Sequence, residues 1–307
     1  MTTLCILGCG NLGTAILSNL LQSASEEGST TPVKRFIACV RSDRSEKRLA
    51  GQFSASQHLV EISRNDNVKA VANSDVILLG VDPADVKDTL RQPGLSDVLK
   101  GKLLISIVAA WTTADIQREI AHGSAGSGPV GTPVEDVHVV RTLPNMAATV
   151  SQSITAIEIP KPEAKIPPQL LSLTDDIMSS IGKTVHLDAS KMDAFTAVGG
   201  STPAFFAVIV DTLIDAAVAV GLPRHEATNI IVQSMLGSAT LLQSGMHPGE
   251  LRDQGTSPEG CTMGGLMVLE ERGVRGGLSR ALREAVTVAR LMGKEPHVND
   301  TRRSSNP

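Results

Sequence analysis

The sequence predicts an α/β fold, with an N-terminal doubly wound parallel sheet of the Rossmann type followed by an all-helical domain. A short apolar run leads into three glycines and then into residues with helical periodicity. Strand-like and helix-like segments alternate up to about residue 188, and we find no convincing strand beyond it. We therefore predict a dinucleotide-binding domain at 1–188, a helical substrate-binding and dimerisation domain at 189–294, and a disordered tail at 295–307.

The first segment predicts a turn that binds a dinucleotide. Leu4–Leu7 has the apolar character of a buried parallel strand, and glycines follow it at the spacing G-x-G-x-x-G. Gly8 would make the tight turn, Gly10 would let the backbone approach a pyrophosphate, and Gly13 would let the helix pack close to the strand. A glycine-rich turn without a ligand is the alternative. The expected cofactor contacts of this turn are Gly8, Gly10, Asn11, Leu12 and Gly13.

Strands and helices continue to alternate after this turn. Val33–Val40 is interpreted as the second strand, and residues 44–73 as polar chain that is helical or irregular. Pro83 suits the first turn of a helix, and Thr113 is expected to cap another. The remaining predicted elements of this domain are strands at 75–81, 102–109, 137–143, 154–159 and 185–187, and a helix at 169–181.

The carboxyl ends of these strands form the expected ligand-binding edge, because open α/β sheets bind their ligands there. This rule places Asn145 along the edge, beside the glycine turn. It also adds a group of residues that follow predicted strands to the expected cofactor contacts: Val81, Asp82, Pro83 and Ala109.

The residues after the second strand bear on the choice of cofactor. An NAD enzyme usually has an acidic residue here to bind the ribose hydroxyls, whereas Arg41 and Ser42 suit a 2′-phosphate. We therefore expect NADPH, while Asp43 leaves NADH possible. A solvated turn is the alternative interpretation.

Composition argues against several classes of protein. The 307 residues carry a net charge of −4 without a basic stripe, so we expect no nucleic-acid partner. The four cysteines form no CxxC pair, which argues against a metal site or a disulfide framework and favours reduced thiols in the cytoplasm. We see no secretory signal. The absence of tyrosine excludes a mechanism that uses tyrosine as a proton donor, as in short-chain dehydrogenases.

The second domain is predicted to contain apolar helices at about 192–220, 224–244, 260–272 and 277–292. Within the first of these, Ala204–Leu222 is long and apolar enough to suggest a membrane span. Asp211 and Asp215 lie on one face of it, and unpaired carboxylates are costly at the centre of a bilayer. We therefore expect a buried helix of a bundle and no membrane partner. Helices that are apolar nearly all round need a partner surface, which a homodimer would supply.

A second candidate site lies where the third of these helices begins. The free N–H groups of Gly260, Cys261 and Thr262 could hold a substrate carboxylate without a buried cation. The hydroxyl groups of Ser257 and Thr262 could donate or accept hydrogen bonds. Ordinary helix capping by Thr256 or Ser257 is the alternative, and general physical grounds favour it.

The same stretch carries a resemblance to a known family. Ser257-Pro-Glu-Gly-Cys-Thr262, followed by Gly265-Leu266 and Leu269-Glu270, resembles the signature of pyrroline-5-carboxylate reductases. The resemblance extends over about residues 3–293. Its other segments are Arg141-Thr-Leu-Pro-Asn145, Asp193–Phe205 with its Gly-Ser-Thr-Pro-Ala-Phe ending, and Gly221-Leu-Pro223.

This resemblance implies reduction of the C=N bond of 1-pyrroline-5-carboxylate to L-proline with NAD(P)H, by a homodimer that often forms a larger assembly. It implies that Ser257, Gly260, Cys261 and Thr262 bind the substrate carboxylate and ring nitrogen. Thr262 is the expected catalytic residue, because its hydroxyl would orient the ring nitrogen or relay a proton to it. Asn67 is expected to contact the cofactor, since it falls eight residues before Asp75, as in the family.

Three positions depart from the family pattern and keep other functions open. Asp82 stands where lysine is usual, and Thr202 and Glu259 stand where glycine is usual. A relative that reduces a substituted pyrroline or a piperideine carboxylate is therefore an alternative. Further alternatives are a relative of β-hydroxyacid dehydrogenases, with Lys191 as its catalytic lysine, and an NADPH-binding protein without catalysis.

Overall fold

Parallel strands buried on both faces form the centre of the first part of the molecule. The computed structural model describes residues 2–25, 33–123, 137–292 and Lys294. Within these residues one sheet has the strands β1 Thr2–Leu7, β2 Val33–Val40, β3 Val60–Arg64, β4 Val76–Leu79, β5 Leu103–Ser106, β6 His138–Leu143, β7 Ser153–Glu158 and β8 Gly182–Leu187. Their spatial order is β3-β2-β1-β4-β5-β6-β7-β8. The predicted tail at 295–307 lies outside the described residues.

Helices cover both faces of this sheet, as the alternation of residues along β1 shows. Leu4 and Ile6 belong to an apolar cluster with the first, second and seventh helices, whereas Cys5 and Leu7 belong to a cluster with the third to the sixth. The helices are α1 Asn11–Ser25, α2 Asp43–Gln52, α3 Asn67–Ala72, α4 Val86–Leu90, α5 Leu95–Leu99, α6 Thr113–Gly123 and α7 Pro168–Ser179.

The prediction of a parallel sheet holds from β1 to β6 and is wrong for one pair. Each neighbouring pair among these six strands is parallel, but β6 and β7 run antiparallel. Only residues 144–152 connect β6 to β7, which is too short for the helical crossover that a parallel pair needs. Ser151, with φ of +56°, lies in the turn that reverses the chain.

Two local predictions in this part also need correction. Residues 44–73 were expected to lack a strand, yet β3 lies within them at the edge of the sheet. Its exposed Glu61 and Arg64 hide the apolar pattern that marks the central strands. The cap of α6 is Thr112 rather than Thr113, because Thr112 Oγ1 accepts the Asp115 N–H at 3.1 Å.

Residues 201–287 form a second compact unit, and the first unit takes in the remaining described residues. Helix α8, Ala189–Val198, belongs to the first unit, where Met192 and Phe195 pack with Leu143 and Ala156. The single helix predicted at 192–220 is therefore two helices, separated at residues 199–201. The later helices are α9 Thr202–Ala219, α10 Arg224–Gln243, α11 Pro248–Gln254, α12 Cys261–Glu271 and α13 Val274–Leu291.

The second unit leaves most of its apolar surface exposed in a single chain. Only Ile214 and Ala227 are buried apolar side chains between residues 201 and 287, whereas Val208 and Met267 are about two-thirds exposed. The expectation of a buried helix is therefore wrong for one chain. Ala189–Ala219, which comprises α8 and α9, is long and apolar enough to cross a membrane, and only 6% of its most apolar 18 residues are buried. Helices of proteins that do not cross a membrane also reach this length and hydropathy.

Candidate functional site

A cavity of about 440 Å³ opens at the carboxyl ends of β1, β2 and β4. Half of the residues that the sequence predicts as cofactor contacts line it: Gly8, Gly10, Arg41, Asn67, Val81 and Asp82. The others are outside its lining: Asn11, Leu12, Gly13, Ser42, Pro83 and Ala109. Its position agrees with the rule that open α/β sheets bind ligands at this edge.

The three glycines have the geometry that the sequence predicts for them. Gly8 has φ of +86°, and a Cβ there would lie 2.6 Å from the backbone nitrogen of Val81. A Cβ on Gly13 would lie 3.0 Å from Gly8 O and 3.1 Å from the Ile6 side chain, so α1 packs close to β1. A Cβ on Gly10 would meet no atom within 4 Å. Gly10 therefore borders open space that a ligand can enter.

The first turn of α1 is available to an anion. Thr14 N donates to Gly10 O at 2.9 Å, which is the first hydrogen bond of the helical ladder. Within the described residues, the N–H groups of Asn11, Leu12 and Gly13 have no acceptor. A phosphate here would therefore contact the backbone N–H groups of Asn11 and Leu12 rather than their side chains. These N–H groups lie at the positive end of a 15-residue helix. These residues fit the pyrophosphate of a dinucleotide.

Arg48 on α2 stabilises this turn, a role that the sequence analysis missed. Its Nη2 donates to Cys9 O at 3.3 Å and to Thr14 Oγ1 at 3.3 Å. Nothing in the local pattern marks it, because α2 is a polar helix and only the fold brings it to the glycine turn. Burial raises the pKa of the Cys9 thiol to about 11, so it stays protonated at neutral pH. Among the described residues, no cluster of three histidine, cysteine or acidic side chains could hold a metal.

The two residues that follow β2, Arg41 and Ser42, make different interactions. Ser42 Oγ accepts the Ser45 N–H at 3.2 Å and caps α2, so this hydroxyl already serves the helix. Arg41 lines the cavity, and its Nη1 donates to both carboxylate oxygens of Asp85 at 3.2 and 3.3 Å. Arg41 therefore remains the candidate for a 2′-phosphate, although it is paired.

The cavity lining is more acidic than the sequence analysis predicted. Asp82, Asp85 and Asp88 all line it, and only Asp82 was predicted. Asp82 Oδ1 accepts the Ala84 N–H at 2.9 Å, so this carboxylate caps the short helical turn that begins at Pro83. Asn67 also lines the cavity, where its Nδ2 donates to Gln92 Oε1 at 3.2 Å.

The Arg141–Asn145 motif connects β6 to α8. The Arg141 side chain is 3% exposed, and its guanidinium lies 3.5 Å from Glu158 and 3.7 Å from Asp193. Asn145 Nδ2 donates to Gly199 O at 2.8 Å, and Asn145 is buried outside the cavity lining. The motif therefore positions α8 and its carboxyl end. Asn145 follows β6 at the carboxyl-end edge of the sheet, as predicted, but it does not line the cavity.

The second candidate site is the start of α12, within the second unit. Gly260 is the N-cap residue and no side chain caps the helix. The alternative of capping by Thr256 or Ser257 is therefore wrong, since Thr256 Oγ1 instead donates to Arg252 O at 2.6 Å. Gly260 N donates to Ser257 O at 3.1 Å, so the prediction of a free Gly260 N–H is wrong. In this fully described unit, the N–H groups of Cys261 and Thr262 have no acceptor. These donors and the exposed side chain of Thr262 form a place where a carboxylate can bind.

The residues before α12 show why glycine suits this turn. A Cβ on Gly260 would lie 2.4 Å from Ser257 Oγ, so the Ser257 hydroxyl lies directly against the start of the helix. Glu259 has φ of +59°, in the left-handed region that favours glycine. Glu259 therefore adopts a backbone conformation typical of glycine although it carries a carboxylate side chain.

Comparisons with known proteins assign nearly the whole chain, including both candidate sites, to one family. A curated pyrroline-5-carboxylate reductase from Lophium arboricola is 44% identical, with 98% of this chain and 96% of that protein covered. The chain belongs to the pyrroline-5-carboxylate reductase family. A curated family member from Neurospora crassa is 37% identical, again with 98% of this chain and 96% of that protein covered. The resemblance of the α12 signature is therefore confirmed.

Two separate parts of the chain also match family descriptions. Residues 189–292 match the family described as pyrroline-5-carboxylate reductase dimerisation, and residues 3–110 the family described as NADP oxidoreductase, coenzyme F420-dependent. A solved pyrroline-5-carboxylate reductase from Coxiella burnetii has a TM-score of 0.77 at 25% identity, covering 96% of this chain and 99% of that one. The predicted fold class is confirmed.

Proposed function

We propose that this member of the pyrroline-5-carboxylate reductase family reduces the C=N bond of 1-pyrroline-5-carboxylate to L-proline, with NADPH preferred and NADH possible. The observation that carries the proposal is the uncapped start of α12, where Cys261 and Thr262 offer free N–H groups. The curated relatives that bear the reductase name span nearly the whole chain. The glycine turn and its cavity supply a matching cofactor site in the first unit.

The first unit holds the cofactor in this proposal. NADPH, when bound, supplies a hydride to the imine carbon. The N–H groups at the start of α1 hold the pyrophosphate, and Gly10 leaves room for it. Arg41 takes the 2′-phosphate, and Asn67 and Val81 contact the adenosine half from the cavity wall. Asp82, Pro83 and Ala109 stay predictions for the same site.

The second unit holds the substrate. The N–H groups of Cys261 and Thr262 bind the carboxylate, with the Ser257 hydroxyl beside Gly260 as a further donor. The Thr262 hydroxyl donates its hydrogen bond to the ring nitrogen and relays a proton from solvent to it, so that the hydroxyl itself is regenerated; the iminium form is the better electrophile. Hydride at carbon and proton at nitrogen complete the reduction. Catalysis then rests on positioning and on backbone dipoles.

The Thr262 hydroxyl is tested by Thr262→Val, with Thr262→Ser as the matched control. We expect Thr262→Val to lower kcat/KM for 1-pyrroline-5-carboxylate by about 10- to 100-fold, since one positioned hydrogen bond contributes roughly 1–3 kcal/mol. Thr262→Ser should keep most of the activity, and the NADPH Kd should stay within about two-fold in both variants. Wild-type kcat/KM in Thr262→Val would overturn the assigned role.

The choice of cyclic imine depends on Glu259. Its carboxylate lies two residues before the proposed carboxylate site, where it disfavours a second anion unless it turns to solvent. A substituted pyrroline or a piperideine carboxylate is therefore the second candidate substrate. The deciding assay uses NADPH and a panel of 1-pyrroline-5-carboxylate, its 4-methyl form, 1-pyrroline-2-carboxylate and piperideine carboxylates. Much faster turnover of an analogue would replace the proline assignment.

The other two alternatives receive less support. Lys191, the lysine that a β-hydroxyacid dehydrogenase would need, is 63% exposed and lies 3.3 Å from Asp188. An exposed, paired ammonium is a poor candidate for a catalytic acid. Hydride transfer from NADPH to any member of the imine panel would exclude a protein that only binds the nucleotide.

We also propose a homodimer formed through the helical region, with larger assemblies of dimers as its extension. The match of residues 189–292 to the dimerisation family and the exposed apolar side chains of α9 and α12 support it. This interface would cover the apolar face that would otherwise favour a membrane. Sedimentation velocity at micromolar concentration should show a dimer or a multiple of it. An active monomer would contradict the proposal.

We further propose a cytoplasmic protein without a nucleic-acid partner. The free cysteines Cys5, Cys9, Cys39 and Cys261 and the net charge of −4 support this. The functional boundary at residue 188 and the roles of the individual site residues stay predictions. Cell fractionation tests the location.

A further inference from the structure

The wall of the cofactor cavity carries an ion pair whose placement bears on cofactor choice. Arg41 Nη1 donates to both oxygens of the Asp85 carboxylate at 3.2 and 3.3 Å. The Arg41 side chain is 82% exposed and that of Asp85 is 39% exposed. The guanidinium therefore has room to move, whereas Asp85 has a shorter and less exposed side chain on the helical turn that begins at Pro83.

The charges around this pair disfavour binding of the 2′-phosphate that distinguishes NADPH from NADH. Among the described residues that line the cavity, Arg41 is accompanied by three carboxylates, those of Asp82, Asp85 and Asp88. A 2′-phosphate is an anion that needs Arg41, and it must either share the guanidinium with the Asp85 carboxylate, which accepts from Nη1, or displace that carboxylate. A ribose with a free 2′-hydroxyl needs no such exchange, and the hydroxyl can donate to a carboxylate.

We propose that Asp85 is a specificity-determining residue of the cofactor site, which holds Arg41 in an ion pair and thereby lowers the preference for NADPH over NADH. This inference rests on the proposed function, because it assumes that the cavity binds a nicotinamide dinucleotide. It extends that function by assigning the discrimination to a pair of residues rather than to Arg41 alone. With Asp85 neutralised, Arg41 is free for the 2′-phosphate and one repulsive charge is removed.

The test measures nucleotide binding, so that it does not depend on the imine reaction. Adenosine 2′,5′-bisphosphate and adenosine 5′-monophosphate differ only in the 2′-phosphate, and their Kd values are measured by calorimetry on the full chain. Asp85→Asn should tighten binding of the bisphosphate by about three- to five-fold, the upper part of the range expected for one exposed charge pair. Binding of the monophosphate should change less than about two-fold. Ionic strength is kept low and constant, since salt screens exposed charges.

Two further variants separate the ion pair from general charge. Asp88→Asn removes a carboxylate of the same cavity wall that forms no ion pair with Arg41 in the described part of the chain. It should alter the ratio of the two Kd values by less than half as much as Asp85→Asn. In an Arg41→Ala background, the effect of Asp85→Asn on that ratio should largely disappear, as coupled residues require.

The outcomes also distinguish this inference from the proposed function. An equal effect of Asp85→Asn on both nucleotides, an equal effect of Asp88→Asn, or an effect that persists without Arg41 would each overturn the inference. Failure of both nucleotides to bind the wild-type protein would overturn the cofactor assignment together with the inference. Normal binding and discrimination in a protein that reduces no cyclic imine would overturn only the proposed function.

Discussion

Substituting two glycines of the same turn should separate a structural role from a ligand-binding role. A Cβ on Gly8 would lie 2.6 Å from Val81 N and 2.7 Å from Val81 Cα, with φ at +86°. A Cβ on Gly10 would meet nothing within 4 Å. We therefore expect Gly8→Ala to lose stability and Gly10→Ala to lose cofactor affinity while keeping its stability.

The magnitudes follow from these contacts. The left-handed backbone costs a residue with a Cβ about 1–2 kcal/mol. Overpacking against fixed backbone adds about 1–3 kcal/mol, so Gly8→Ala should lose about 2–5 kcal/mol. Its melting temperature should fall by roughly 5–15 °C. Gly10→Ala should melt within about 2 °C of the wild type, because its Cβ meets nothing. It should bind NADP⁺ at least about ten-fold more weakly, a loss of about 1.4 kcal/mol, because the new methyl group occupies the space of the pyrophosphate.

Thermal melting and calorimetric titration with NADP⁺ measure the two effects on the same preparations. Gly8→Ala melting with the wild type would refute the argument from close approach to Val81. Wild-type NADP⁺ affinity in Gly10→Ala would refute the placement of the pyrophosphate at this turn. A large loss of stability in both variants would show that the open space beside Gly10 does not exist in solution.

Two further predictions concern Glu259 and Cys9. Because Glu259 has φ of +59°, Glu259→Gly should be more stable than Glu259→Ala by about 1 kcal/mol in chemical unfolding, and equal stabilities would contradict the strained backbone. Burial raises the pKa of the Cys9 thiol from 9.0 to about 11, so the stability it contributes is present below pH 9 and is lost as the pH rises to 11. Between pH 8 and 11, the free energy of unfolding should therefore fall further in the wild type than in Cys9→Ala, and the difference should reach at most about 3 kcal/mol. Parallel pH profiles of the two proteins would contradict this.

The elements that the sequence predicted well are those whose signals are local. The apolar run of β1, the glycine spacing and the periodicity of α1 lie within some 25 residues of each other and agree on one structure. The signature at the start of α12 is local too, and it located the helix start correctly, although general physical grounds favoured a side-chain cap that the structure does not have. Glu259 was noted as a departure from glycine, but its φ of +59° could be known only from the structure.

The edge of the sheet was predicted less well, because edge strands are half exposed. In β3, Glu61 and Arg64 face solvent, so the pattern does not separate strand from polar loop. The strand β7 itself was predicted, but its antiparallel direction was not, since an apolar strand has no direction in its sequence and only the short link at 144–152 sets it. The helix predicted at 192–220 broke at residues 199–201, where the Gly199 carbonyl is bound by Asn145 from far along the chain.

By itself, the sequence determined the family and the α/β order of the first unit, and it predicted two places where the backbone can bind anions. Each of these features depends on residue types and their spacing within a short stretch of chain. Local backbone geometry is enough to relate such a pattern to a strand, a turn or a helix. The tertiary structure decided which charges surround those places. Arg48 reaches the glycine turn and Asp85 pairs with Arg41 because separate elements converge at the carboxyl ends of the strands. Contacts between residues 39 and 44 positions apart leave no periodic signal in the sequence, since the fold alone brings them together.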